Sequence, residues 1–453
     1  MYINPSIFKS YDIRGIYPQD LNEPIVFRII QSYIKLFTPK KVVLGRDVRE
    51  SGEKLFESCL KAFTQAGIDV IDIGIVSTDQ YYYAVGTLPV DGGVTVSASH
   101  NPREWNGLNF CKRGAEPISS ESGLLEIKNE ALKNNWTTLG SKKKGKLEKH
   151  DVSYDFLKAA ISMIDISKIK PTKLVANANF GVDVVLLNEA VKEFKLPLKV
   201  IPLNAKPDGA FPKGPPNPLL PESRKEFLDL VVKKSADLGV SWDADGDRCF
   251  FADEKGNFIE GYFITAILAK EILQKHPNSK ILIDPRLTWA TTEEIERSGG
   301  KVVVCKPGMT IIAARMKKDN IVFGGEMSSH FYFKENFYRD NGLIPLLIIL
   351  EMLGKYNTTL SKLASPYTSK YFTPGEINFE TENKDEIIKT LQNKYEKGKQ
   401  EFIDGLSVEF PDWRFNIRKS NTEPLLRLNL ETRSKKLMEE KRDELIDQIK
   451  SLS

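Results

Sequence analysis

The chain has little cysteine and little histidine: four of each in 453 residues. Cys59, Cys111, Cys249 and Cys305 are scattered without CxxC spacing. A disulfide framework is therefore not expected, and reduced core thiols are. No apolar run approaches the roughly 20 residues that a bilayer demands. The longest, Leu343–Met352, is short and carries Glu351, so it reads as a buried helix. The opening residues Met1-Tyr2-Ile3-Asn4-Pro5 lack a basic-then-apolar export signal. A cytoplasmic protein without a membrane partner is the expectation. Charge of one sign is also missing: 65 Lys+Arg against 61 Asp+Glu leave a net +4 with no basic stripe, so no nucleic-acid partner is expected. The dense run Lys142-Lys143-Lys144 reads as a solvated linker.

What is present is an ordinary globular composition, 41% hydrophobic and 28% charged. At roughly 100–200 residues per domain the length implies about three or four domains. Strand-type runs alternate with helical periods. Lys41–Gly45, a helix over Glu53–Ala66 and Val70–Gly74 form one such set. Lys173–Ala176, a helix near Val182–Phe194 and Lys199–Ile201 form another, and Lys280–Ile283, a helix near Ala290–Arg297 and Lys301–Val304 a third. This rhythm predicts three related α/β units with parallel pairing. The last portion differs. Extended runs at Gly375–Phe379, Ser407–Ile417 and Leu425–Glu431 surround helical patterns near Lys384–Lys397 and Lys435–Ser451, which predicts a small α+β domain. Polar or turn-rich stretches near Lys149-His150, Glu254–Gly256 and Ser365-Pro366 place the domains at residues 1–150, 151–254, 255–368 and 369–453. The Pro- and Gly-rich segment Asn204–Glu222 has no period, and connections of that length are more often functional than ordinary loops are.

Five constellations carry chemistry. Ser97-Ala98-Ser99-His100-Asn101-Pro102 follows the run Gly93–Val96, which puts a serine and an adjacent histidine in a strand-end turn. Asp243, Asp245 and Asp247 alternate in a turn between apolar strands, where unpaired they repel one another; together they suit a hard cation, Mg²⁺ above all. A helix-loop-helix calcium site also begins this way, and Glu254 falls at its twelfth position. Its sixth position requires Gly and here is Arg248, which excludes it. Arg418-Lys419-Ser420-Asn421-Thr422-Glu423-Pro424, with Arg427 beyond, concentrates phosphate donors in a turn. Gly324-Gly325-Glu326-Met327-Ser328-Ser329-His330 offers a carboxylate, a hydroxyl and a proton-active ring. Tyr11-Asp12-Ile13-Arg14-Gly15 places an arginine at a turn where it can face an anion.

Together with Gly45–Arg49, Asn217–Glu222, Asp284-Pro285-Arg286 and Asp412–Arg427, these motifs resemble the α-D-phosphohexomutase family over nearly the whole chain. The likeness is to its bacterial phosphomannomutase/phosphoglucomutase branch. The resemblance implies three mixed-sheet α/β domains and a small C-terminal α+β domain around a central cleft. The first would hold the phosphoserine loop, the second the metal loop, the third the sugar loop and the fourth a phosphate loop. It implies a phosphoserine at Ser99 that exchanges phosphate with hexose 6- and 1-phosphates through a bound hexose 1,6-bisphosphate. Mg²⁺ would sit on Asp243, Asp245, Asp247 and a phosphate oxygen of Ser99. Arg14 and Arg248 would add positive charge, and His100 and His330 would handle protons. Glu326 and Ser328 would bind sugar hydroxyls. Arg286 would bind substrate, and Arg418, Ser420, Asn421, Thr422 and Arg427 would hold its non-reacting phosphate. The partners implied are hexose phosphates alone, for a monomer or weak dimer. Met327 is similar to the mannose/glucose branch rather than the glucosamine-phosphate branch, which usually has glutamine there.

Several positions depart from the family pattern, among them the turn Asn177-Ala178-Asn179-Phe180-Gly181-Val182, where N-x-x-G-x-x-G is usual. Asn109 stands where a lysine usually follows the serine by ten residues, and Met309 and Ala313 stand where a His and a Lys are usual. A slower mutase, a mutase for a different sugar (phosphoglucosamine included), a phosphatase that hydrolyses the phosphoserine, and a paralogue that binds sugar phosphate without turnover are the readings these departures leave. The intact serine, metal and phosphate loops favour the active mutase.

Overall fold

The computed structural model describes residues 2–420 and 425–452. Two compact units organise them. One runs as far as Phe258 and takes in His330–Leu360; the other comprises Ile259–Ser329 and the chain from Ser361 onward.

In the first unit, the strand Lys41–Arg46 lies parallel to Asp69–Ile75 on one side and Gly92–Val96 on the other. Gly92–Val96 then pairs antiparallel with Trp105–Lys112, which pairs antiparallel with Ile13–Ile16. The central strands are buried runs of β-branched residues, as strands covered on both faces require. The second sheet repeats the arrangement. Thr172–Asn177 lies parallel to Leu198–Leu203 and to Leu238–Trp242, and the latter pairs antiparallel with Cys249–Ala252. The short strand Phe258–Ile259 adds to this sheet's edge, so the second sheet runs past the expected boundary at residue 254. The helix Leu343–Lys355 is apolar on every side and packs against Ser153–Ile161, so it is a buried core helix as its composition predicts. No single described helix is long and apolar enough to cross a membrane.

In the second unit, Lys280–Ile283 lies parallel to Lys301–Val304 and Phe323–Gly325, a third use of the same central-strand pattern. The C-terminal sheet is antiparallel throughout its Ile377–Glu380, Leu425–Thr432, Trp413–Lys419, Leu406–Glu409 and Lys399–Glu401 order. Its apolar face carries Trp413, Phe415, Ile417, Leu426, Leu428 and Leu430 against the helices Lys384–Lys394 and Lys435–Leu452. Two expectations are corrected. Ser407–Ile417 is two strands, because Phe410 N–H donates to Trp413 O (2.8 Å) and closes a turn. Ser365-Pro366 lies inside the helix Leu360–Thr368, not in a linker. All four cysteines are buried and free.

Candidate active site

The three α/β units end their central strands in the same turn. Asp47, just past Arg46, accepts the Arg49 N–H at 2.9 Å. Asn177 accepts the Asn179 N–H at 3.1 Å, and Asp284 accepts the Arg286 N–H at 2.9 Å. A short side chain that bonds the backbone two residues on is what folds a strand end back on itself.

In the first unit the serine and aspartate loops meet. Ser99 is buried and has a left-handed backbone, φ 49°. Its Oγ donates to Asp243 Oδ2 at 3.3 Å and lies 3.1 Å from His100 Nδ1. Its N–H donates to Ser97 Oγ (3.0 Å), and Ser97 Oγ in turn donates to Asp245 Oδ2 at 3.4 Å. Asp243, Asp245 and Asp247 are all buried, and each offers a carboxylate oxygen within 4.8 Å of the others. Oδ1 of Asp245 and Oδ1 of Asp247 accept no hydrogen bond among the described residues. Burial, then the charge of Asp243, pushes the Asp245 carboxyl up to about 7; burial and the charges of Asp245 and Asp243 push Asp247 up as well. Three crowded carboxylate oxygens, with Asp245 and Asp247 resisting ionisation without compensation, are a donor set suited to a divalent hard cation.

Cationic groups line the same loops. Arg248 Nε donates to Asp243 Oδ2 at 2.7 Å, and its backbone bridges to His330. His330 Nε2 lies 3.7 Å from Asp247 Oδ1. Arg14 Nε donates to Asp12 (2.8 Å), and its Nη1 donates to Asn101 Oδ1 (2.5 Å) and Ala98 O (3.3 Å). Burial, followed by the charges of Arg248 and Arg14, drives the His100 pKa well below its ordinary value, which favours the neutral ring. Thr78 was not foreseen: its N–H and hydroxyl both donate at 2.8 Å to Asp245, which ties a helix N-terminus to the loop.

The second unit gathers the other expected residues. Glu326 is buried, accepts the Gly308 N–H at 3.3 Å and lies 3.6 Å from Arg286 Nη2. Arg286 is held by Asp284 through two side-chain hydrogen bonds, at 3.0 and 2.8 Å. Asp284 also accepts the Met327 N–H (2.7 Å), which fixes the loop bearing Ser328. Arg418 and Arg427 converge on Glu376, at 3.5 and 3.3 Å. Arg418 also faces Asp404 at 3.5 Å. The Ser420 N–H donates to Leu425 O (2.8 Å). Asn421 and Thr422 lie outside the described residues. Glu376 and Asp404 were not foreseen, since neither belongs to a motif; a carboxylate inside a cluster of arginines is visible only once the sheet is folded. Of the departures, Met309 opens the helix Met309–Asp319 and Ala313 is buried in it, while Asn109 sits on the strand Trp105–Lys112.

An α/β unit used three times, each with the same strand-end turn, is followed along the chain by a small antiparallel domain. Comparison with known proteins agrees segment by segment. The chain matches the phosphoglucomutase/phosphomannomutase alpha/beta/alpha domain I over residues 5–137, domain II over 153–256, domain III over 260–371 and the C-terminal domain over 376–448. It is 42% identical over 457 residues to a phosphomannomutase of Vibrio cholerae and 40% identical over 450 residues to one of Escherichia coli. The first alignment covers 98% of both chains, the second 98% of this chain and 99% of the relative. A phosphoglucomutase/phosphomannomutase family protein from Burkholderia thailandensis superposes with TM-score 0.88 at 28% identity, covering 100% of this chain and 98% of that one. The chain belongs to the phosphoglucomutase/phosphomannomutase family and is a phosphohexomutase.

Proposed function

We propose that this enzyme interconverts the 6-phosphate and 1-phosphate of mannose, glucose or both, through a phosphoserine at Ser99 and a hexose 1,6-bisphosphate. The observation that carries this reading is the approach of Ser99 Oγ to within 3.3 Å of Asp243 in a loop of three convergent carboxylates. The names of the V. cholerae and E. coli relatives support mannose phosphate as one substrate.

Phosphoryl transfer is mainly positioning and charge neutralisation. Asp243, Asp245 and Asp247, with a phosphate oxygen on Ser99, would hold Mg²⁺, which when bound neutralises charge on the transferring group. Arg248 orients Asp243, and Thr78 orients Asp245. Arg14 braces the loop through Asn101 and Ala98. The bond between Ser99 Oγ and phosphorus breaks as a sugar hydroxyl bonds to phosphorus. The hydroxyl proton passes to a base, for which His330 is the candidate, and Ser99 Oγ takes a proton back. Neutral His100, in contact with Oγ, orients that oxygen. Glu326 and Ser328 bind sugar hydroxyls. Arg286 binds substrate, and Arg418, Ser420, Asn421, Thr422 and Arg427 serve the non-reacting phosphate.

The test is direct. With Mg²⁺, a trace of glucose 1,6-bisphosphate and mannose 1-phosphate, mannose 6-phosphate accumulates and Ser99 carries phosphate. A phosphorylated Ser99 without product overturns the mutase reading; release of inorganic phosphate favours hydrolysis instead.

A further inference from the structure

The serine turn is held from behind by one side chain. Arg49 is 0% exposed, and its five N–H donors have five acceptors. Nε donates to Asp47 Oδ2 at 3.1 Å. Nη1 donates to Pro102 O (2.7 Å) and Trp105 O (3.1 Å). Nη2 donates to Ser99 O (2.6 Å) and Asn101 O (2.7 Å). Four carbonyls of the Ser99–Trp105 turn therefore converge on one planar fork. Ser99 itself has a left-handed backbone, φ 49°, which a residue with a side chain keeps only when its surroundings dictate it.

The fork is sealed by the second domain. The Phe211 ring centroid lies 5.0 Å from the Arg49 guanidinium carbon, and Phe211 is buried. Gly209 approaches the Arg49 backbone so closely that a Cβ there would fall 2.1 Å from Val48 O and 2.6 Å from the Glu50 nitrogen. Both residues belong to the Pro- and Gly-rich Asn204–Glu222 segment. Through these two residues the segment seats backbone on backbone, with an aromatic ring shielding the hydrogen bonds beneath.

We propose that Arg49 is a positioning residue for phosphoryl transfer, and that the Asn204–Glu222 segment acts through Phe211 to keep it in place. Arg49 touches neither substrate nor Ser99 Oγ. It holds the main chain so that Oγ faces Asp243. The proposal rests on the phosphoserine reading above.

The experiment measures phosphate transfer from glucose 1,6-bisphosphate to Ser99, and kcat and KM for mannose 1-phosphate, in the wild type, Arg49→Lys and Phe211→Ala. Lysine keeps the charge but has three donors and no fork. Displacing a nucleophile costs rate rather than affinity. Arg49→Lys should slow phosphoserine formation and kcat by roughly tenfold to a hundredfold, with KM within about twofold. Phe211→Ala should lower the same rate by a smaller factor, and it decides the matter if Arg49→Lys does not fold. Wild-type phosphorylation with unchanged rates in the folded variants overturns the role of Arg49 alone, as does a rise in KM at unchanged kcat. A wild type that never takes phosphate at Ser99 overturns both readings.

Discussion

Asn109 donates its side-chain amide to the hydroxyl of Tyr82 at 3.2 Å, and the guanidinium of Arg339 lies 3.7 Å over the same ring. Arg339 is fully buried. The position where the family usually carries a lysine is therefore coupled, through one aromatic ring, to a cation already in place.

Restoring the lysine should hurt. Asn109→Lys removes the hydrogen bond to Tyr82 and brings a second positive charge toward Arg339. A loss of about 1 kcal/mol or more in urea unfolding is expected, with no gain in mutase rate. Arg339→Met in the same chain should make the cost of Asn109→Lys smaller by at least about 0.5 kcal/mol, because the two sites share a neighbour. An Asn109→Lys enzyme as stable as wild type and faster would refute this account.

Metal binding has a readout that does not depend on turnover. A cation that binds only the folded chain at about a hundred times its Kd stabilises it by about 2.7 kcal/mol. Mg²⁺ should therefore raise the melting temperature of the wild type. In Asp247→Asn, which loses one of three carboxylates within 4.8 Å of each other, that rise should shrink or vanish. An equal rise in both proteins would place the ion elsewhere.

The fold was largely legible because its signals are local. Buried strands such as Leu238–Trp242 are apolar runs, and Trp413–Lys419 alternates Trp, Phe and Ile with Arg, Asn and Arg. The alternation did not reveal that Arg414, Asn416 and Arg418 are buried too. Their face receives partners distant in sequence: Arg414 donates to Pro285 O and Arg286 O at 2.8 and 2.9 Å. The candidate site was legible where chemistry crowds into one loop, as at Ser99 and Asp243. Arg49, Thr78 and Glu376 were not, since each acts through a contact that only folding creates. A local trace did exist: Asp12/Arg14, Asp47/Arg49 and Asp284/Arg286 share one Asp-x-Arg spacing, and each pair forms an ion pair.

A buried carboxyl makes stability depend on pH. Burial pushes Glu431 up to about 8 against the backbone N–H groups of Thr288 and Trp289, which pull it down. It also bonds the Tyr262 hydroxyl, which accepts the Ala290 N–H. The folded state thus keeps a proton that the unfolded chain gives up near 4.5. Linkage then makes stability fall as pH rises from about 4.5 toward 8 through this group. Glu431→Gln has no proton to lose there, so its urea stability should change less between pH 5 and pH 8 than the wild type's. Parallel curves for the two proteins would exclude Glu431 as the source.

Glu376 occupies the middle of an anion-seeking cluster. Arg418, Arg427 and the Asn429 amide lie 3.5, 3.3 and 3.3 Å from its carboxylate. Burial works against its charge, but Arg286, Arg418 and Arg427 outweigh it and hold its pKa below the ordinary glutamate value. Glu376→Gln keeps the shape and removes the charge, which leaves the guanidinium groups to repel one another. The variant should lose about 1–3 kcal/mol of stability in low salt. Inorganic phosphate should then return more stability to Glu376→Gln than to the wild type, because the added anion replaces the charge that was lost. Thermal melts across a phosphate series measure this. Equal phosphate responses would mean that Glu376 only packs beside the arginines and does not set their appetite for an anion.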